Sequence, residues 1–333
     1  MKDFLIKMFG SERMKRWYHN VQLLLNKKYR KSYYKVKKCF RDINENKSQE
    51  LYKCLSEIYF DHRNITHGGG RLVSDIDKKD MEDHMINRLL NFRYRTIPWL
   101  NSLISLEQSK VLEIGCGTGC TTVALAEQGC QLTSIDVNNI HLEVAKKRCE
   151  LYNLSANIFA MNAVNIKEIN EKFDLIIFSA SLEHMTYEER LISIKSAWNM
   201  LKKNGFLVVI ETPNRLYYID THSSMLPFYH WLPDQLAMQY SKFSSREACI
   251  KNSFDEMKFI RFGRGASFHE FEIALDIRYN AMEVYSMQPF MGTVISNILL
   301  KENRYNNFLK KLGPSNIPEG FYYEYLFIAI KNS

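Results

Sequence analysis

Three glycines in five positions, Gly115, Gly117 and Gly119, lie within VLEIGCGTG, and an acid, Asp136, ends the QLTSID run that follows. Without β-carbons the backbone can turn sharply, and a ligand can lie directly against it. A carboxylate beyond such a loop accepts only, and can take two neighbouring hydroxyls. Farther along stand groups that move protons near neutral pH: His184 in SLEHM, and His222 two residues after Asp220 in YYIDTHSS. These types point to a bound nucleoside-like molecule beside a proton transfer. The glycine spacing narrows the choice. A dinucleotide fingerprint reads G-x-G-x-x-G, whereas this loop reads G-x-G-x-G with Cys at position 120.

The elements that must hold these residues follow from the pattern. From Lys110 onward short apolar runs (KVLEIG, QLTSIDV, ANIFAMNA, FDLIIFSAS, GFLVVIETPN) alternate with helical stretches, ending a fifth strand by Asn214. Such alternation means βαβ units and a parallel sheet covered on both faces. A strand-like MKFIRFGRG, a helical stretch of about fifty residues and a closing FYYEYLFIAIKN complete the order. The expectation is an α/β, Rossmann-like, seven-stranded and mostly parallel sheet with helices on both faces. It carries a helical N-terminal extension and insertions after strands 5 and 6. The boundaries drawn are 1–73 for a basic helical extension and 74–214 for the core. Residues 215–262 would form an acceptor-side lid and the approach to strand 6, and 263–333 strand 6, a helical insertion and the final strand.

VLEIGCGTG, the acid 23 residues after Glu113 and the two stations downstream occur in order over roughly residues 108–214. In this the chain resembles the class I, Rossmann-like, S-adenosylmethionine-dependent methyltransferases, and bacterial members of polysaccharide and secondary-metabolite pathways in particular. The resemblance implies S-adenosyl-L-methionine as cofactor. It implies that Glu113 orients the loop, that Gly115, Cys116, Gly117 and Gly119 line the methionine part, and that Asp136 and Val137 meet the ribose. Asn162 and Ala163 would meet the adenine, with Asn where the family often has an acid. Ser179, with Ala180 and Ser181, would lie near the sulfonium. Arg71, in THGGGRLVS, would pair with the cofactor carboxylate; a plain linker is the alternative.

Methyl transfer to a hydroxyl needs an aligned acceptor and a place for its proton. His184 and His222 are the candidate bases, with Asp220 orienting His222; a packing or capping histidine is the alternative for each. Glu183 reads as structural. Tyr217, Tyr218, Tyr229 and Trp231 offer flat faces to a sugar or ring, or else pack the lid. Arg264 and His269 would reach the pocket from strand 6, or else form a structural pair.

Eleven Lys/Arg and no acid fall in residues 13–41; without them the net charge of +8 would be −3. This segment is a candidate contact for an anionic membrane, a candidate phosphate-binding surface, or a solvated helix pair. Seven cysteines without a C-x-x-C pair or Cys/His cluster read as reduced, so a cytoplasmic protein without a metal site is expected, with peripheral contact to the inner membrane face as an option. Three functions compete. The first is O-methylation of a saccharide or other small polar metabolite. The second is ribose methylation of RNA, since nucleic acid stays open as a partner. The third is a non-catalytic cofactor-binding subunit. Ser-Ala-Ser-Leu after the fourth strand disfavours nucleic-acid amino-methylation, and the lack of a Pro-Cys pair disfavours C5 methylation of bases.

Overall fold

The computed structural model describes residues 27–60, 75–287, 311 and 318–333. Seven strands form one sheet: β1 (Lys110–Ile114), β2 (Gln131–Asp136), β3 (Asn157–Ala160), β4 (Phe173–Ser179), β5 (Leu201–Pro213), β6 (Val284–Ser286) and β7 (Tyr325–Lys331). Their order is β3-β2-β1-β4-β5-β7-β6. The pairs β2–β3, β1–β4 and β4–β5 are parallel, while β7 runs antiparallel to both β5 and β6. Branched residues in unbroken runs explain the centre. Leu175, Ile176, Ile177 and Phe178 of β4, and Leu207, Val208, Val209 and Ile210 of β5, are wholly buried, as strands covered on both faces must be.

The described chain divides into two compact units. One holds residues 27–60, 75–110 and 116–160; the other holds 111–115, 161–287, 311 and 318–333. In the first, the helix Asn139–Leu151 buries Val144 and Leu151 in one cluster with Leu51, Leu55 and Phe60 from the N-terminal helical segment. The described part of the basic segment is tied down locally. Ser32 donates to the Pro98 carbonyl, and the Arg41 amide donates to Glu127, whose carboxylate also forms a buried ion pair with Arg93. No helix among the described residues is long and apolar enough to cross a membrane.

In the second unit, the segment after β5 is a helical lid. Leu226, Tyr229, Ala237, Cys249 and Phe259 form its own small core. One expectation fails here. MKFIRFGRG is not a strand: Asp255 accepts from the Lys258 amide and caps a helix, Glu256–Ile260, that buries Phe259 in the lid core. The sixth strand is Val284–Ser286, so position 263 precedes the helix Phe268–Leu275 rather than opening a strand. Met257 and Phe259 alternate as in a strand, Met257 and Ile260 are spaced as in a helix, and the cap decides it.

Candidate active site

The three glycines answer three different needs. Gly115 has φ +82°, and a β-carbon there would lie 2.5 Å from the Ser181 β-carbon and 3.0 Å from the Ser179 carbonyl oxygen. Gly119, at φ +84°, would strike the Ala145 backbone at 2.8 Å. Gly117, at φ +50°, would meet nothing within 4 Å. Its backbone is bare on that side, and it is the member of the loop with room beside it.

Asp136 ends β2 and binds that bare position. Its Oδ2 accepts from the Gly117 amide at 2.9 Å, and its Oδ1 accepts from the Asn138 amide at 2.9 Å, with His141 Nδ1 3.6 Å away. Burial by itself would raise this carboxyl's pKa. Hydrogen bonding from His141 and the two amides, together with the charge of His141, outweighs burial and holds it below the ordinary aspartate value. It is therefore ionised at neutral pH and keeps lone pairs for further donors. Cys116 is buried, its amide on the Ile135 carbonyl, while Val137 is exposed. Behind the loop, Arg148 is fully buried and donates from Nε to the Thr118 carbonyl and from Nη2 to the His84 carbonyl, each at 2.7 Å; His84 Nδ1 in turn meets Thr118 Oγ1 at 2.8 Å. These residues fix the loop, and no motif announced them.

In the other unit, Glu113 is fully buried on β1, and Ser179, also buried, closes β4. Ser181 donates to the Ile114 carbonyl at 3.2 Å. Ala180, between the two serines, has φ +43°, a left-handed conformation uncommon for a residue with a side chain. Asn162 is exposed and its Oδ1 caps the turn that follows by accepting from the Val164 amide at 3.1 Å; Ala163 is buried. Arg71 lies outside the described residues.

Glu183, His184 and His222 come together: one ligand-capable atom from each lies within 4.8 Å of the others. Each is held from outside. Thr212 Oγ1 donates to Glu183 Oε2 at 3.0 Å. A bulge at Ile210/Thr212, with Glu211 at φ +61°, re-aims the strand there. His184 Nδ1 bonds the Arg261 carbonyl at 2.9 Å, and Arg261 Nη1 returns a bond to the His184 carbonyl at 3.1 Å. His222 is backed by Gly263, where a β-carbon would sit 2.6 Å from the imidazole Cδ2, and its carbonyl accepts from Arg246. Burial, and then the neighbouring His184, lower the His222 pKa to about 4, so the ring is neutral at pH 7. Burial raises the Glu183 carboxyl, against the charge of His184 and the Thr212 bond.

Asp220 does not orient His222. Its carboxylate accepts from the amides of His222, Ser223 and Ser224 and from the Ser223 hydroxyl, and it pairs with His230 Nε2 at 3.3 Å. Burial would raise its pKa, but the His230 bond and charge, with the Ser223 bonds, push it far below the usual carboxylate range. An acid two residues before the histidine bonds the histidine's amide as an Asx-turn and cannot also reach its ring. Of the four aromatic faces two resolve as packing, while Tyr218 is half-buried and Trp231 exposed, its Nε1 donating to the Leu216 carbonyl at 3.2 Å. Tyr229 is buried with its hydroxyl on Ser241, and Tyr217 is buried beside Tyr218. Arg264, also buried, staples the lid through Asp234 at 3.0 Å and the Tyr229 and Leu232 carbonyls, while His269 is exposed and stacks on Phe268.

Residues 111–205 match the family described as "Methyltransferase domain". Among curated proteins, the chain is 29% identical over 132 residues to a ubiquinone biosynthesis O-methyltransferase of Coxiella burnetii, covering 40% of this chain and 53% of that protein. It is 32% identical over 120 residues to the protein of the same name from Stutzerimonas stutzeri, covering 36% and 50%. The chain thus spans about half the length of these relatives. Among solved structures, magnesium protoporphyrin IX methyltransferase from Synechocystis PCC 6803 with bound SAM aligns over 53% of this chain and 81% of its own at 18% identity, with a TM-score of 0.36.

Proposed function

We propose, from the match of residues 111–205 to the methyltransferase-domain family, that the chain is an S-adenosylmethionine-dependent O-methyltransferase of a small-molecule hydroxyl. The cofactor fits what the glycine loop offers: a bare, left-handed backbone at Gly117 joined to the ionised carboxylate of Asp136. Asp136 would hold the ribose hydroxyls, and the Gly117 backbone would lie against the methionine part. When bound, S-adenosylmethionine supplies an electrophilic methyl on a sulfonium, which ends as a neutral thioether once the acceptor oxygen holds the methyl.

The observation that carries the choice of oxygen is the meeting of Glu183, His184 and His222 just beyond β4. A hydroxyl must give up a proton as its oxygen becomes an ether, and these are lone-pair groups able to receive it. Ligands of open α/β sheets bind beyond the carboxyl ends of the strands, where this trio stands. The relatives' name also puts the methyl on oxygen. The glycan version of the acceptor keeps only half of its proposed platform, Trp231 and part of Tyr218, because Tyr217 and Tyr229 are buried. Labelled methyl donor offered to phenols, a glycan extract and RNA tests the reading. The expected result is label in a methyl ether of a small phenol; label confined to RNA contradicts it.

A further inference from the structure

We propose that Glu183, His184 and His222 bind one divalent transition-metal cation, which deepens the O-methyltransferase reading and rests on it for the cation's role. The convergence of the three side chains, and the partners that hold them from behind, carry the inference. A carbonyl oxygen only accepts, so the bond from His184 Nδ1 to the Arg261 carbonyl places the proton on Nδ1 and leaves a lone pair on Nε2. His222 brings a ring nitrogen to the same cluster, and a neutral imidazole carries one lone-pair nitrogen. Glu183 is wholly buried, and its Oε1 has no hydrogen-bond partner. Three side chains able to donate electron pairs thus converge within 4.8 Å, and the buried, partnerless Glu183 Oε1 is costly unless a cation or a proton satisfies it.

The surroundings resemble the outer shell of a metal centre. Ligating histidines ordinarily donate their second ring nitrogen to a carbonyl or carboxylate, and ligating carboxylates are themselves hydrogen-bonded. The Arg261 carbonyl and the Thr212 hydroxyl fill those two roles. Gly263 leaves space for the His222 ring where any side chain would displace it. Nitrogen and oxygen ligands about 2.1 Å from zinc sit roughly 3.4 Å apart in a tetrahedron. Atoms within 4.8 Å of one another therefore need only a small closure. Two imidazoles and one carboxylate select zinc, cobalt, iron or manganese over magnesium and calcium, and leave a position open for the acceptor hydroxyl. With their lone pairs committed to a cation, the three side chains would no longer take the acceptor's proton themselves; the cation would lower the hydroxyl's pKa so that the proton leaves to solvent as the oxygen takes the methyl.

The test uses the full chain stripped with chelator and titrated with cobalt(II) alone, read by visible absorption, and with zinc(II) alone against a chromophoric chelator. S-adenosylhomocysteine is titrated into the same samples. One cation per chain is expected, with the intense visible bands of a low-symmetry cobalt site. His222→Ala and Glu183→Gln should each weaken binding by at least about 100-fold, and Thr212→Val by about 10-fold, as outer-shell losses do. S-adenosylhomocysteine affinity should be unchanged in the His222→Ala and Thr212→Val chains, which certifies their fold. No cation bound, or a cobalt spectrum unaltered by His222→Ala, overturns the metal site. Cation binding without S-adenosylhomocysteine binding upholds the site and overturns the methyltransferase reading instead.

Discussion

Asp136 spends one lone pair of each carboxylate oxygen on the Gly117 and Asn138 amides and remains charged, so its work in the free chain is to set the loop. Because its folded pKa lies below the unfolded value, the folded state binds fewer protons there. The stability it contributes is complete above the unfolded aspartate pKa and is lost as pH falls from about 4 toward the folded value. Asp136→Asn should therefore be less stable than wild type at pH 7. Urea unfolding at stepped pH should find the gap closing below about pH 4; a gap constant down to pH 3 counts against this role. The contrast with Asp220 is instructive. Both acids stand out in the sequence, yet Asp220 is consumed by three amides, a hydroxyl and His230. A short sequence interval made it look like the partner of His222, and the same short interval is what denies it the ring.

At the scale of elements, the first five strands, the closing strand and the glycine turn were legible because each depends on local pattern: unbroken apolar runs, and glycines where φ is positive. The scaffold behind the loop was not. Arg148 reaches carbonyls of Thr118 and His84, 30 and 64 residues away, and an arginine on a helix ordinarily reads as solvent-facing. Arg148→Ala would take the guanidinium donor from both carbonyls and leave His84's with the weak Cys120 thiol. It should cost on the order of 3 kcal/mol by denaturant unfolding and weaken S-adenosylhomocysteine binding through the loop. A variant as stable as wild type would show that the loop holds itself. The lid was misread for a related reason. Met257 and Phe259 alternate as in a strand while Met257 and Ile260 are spaced as in a helix, and the Asp255 cap separates the two.

Over the whole molecule, the residues proposed for the cofactor fall at or just beyond strand ends that follow one another in the chain, and so could be proposed by counting. The Glu183, His184 and His222 cluster could not. Glu183 and His184 leave β4, whereas His222 arrives from the lid and is positioned by Gly263 and Arg246, farther on still. Only the folded path of residues 214–263 reveals that Glu183, which reads as structural from its sequence neighbours, shares a site with two histidines. The central claim is that the Gly117–Asp136 pair holds the methyl donor. Isothermal titration of the full chain with S-adenosylhomocysteine tests it most directly. Saturable one-to-one binding is expected, weakened about 10- to 100-fold in Asp136→Ala by the loss of charged hydrogen bonds. Absence of binding, or equal affinity in the variant, would contradict the account.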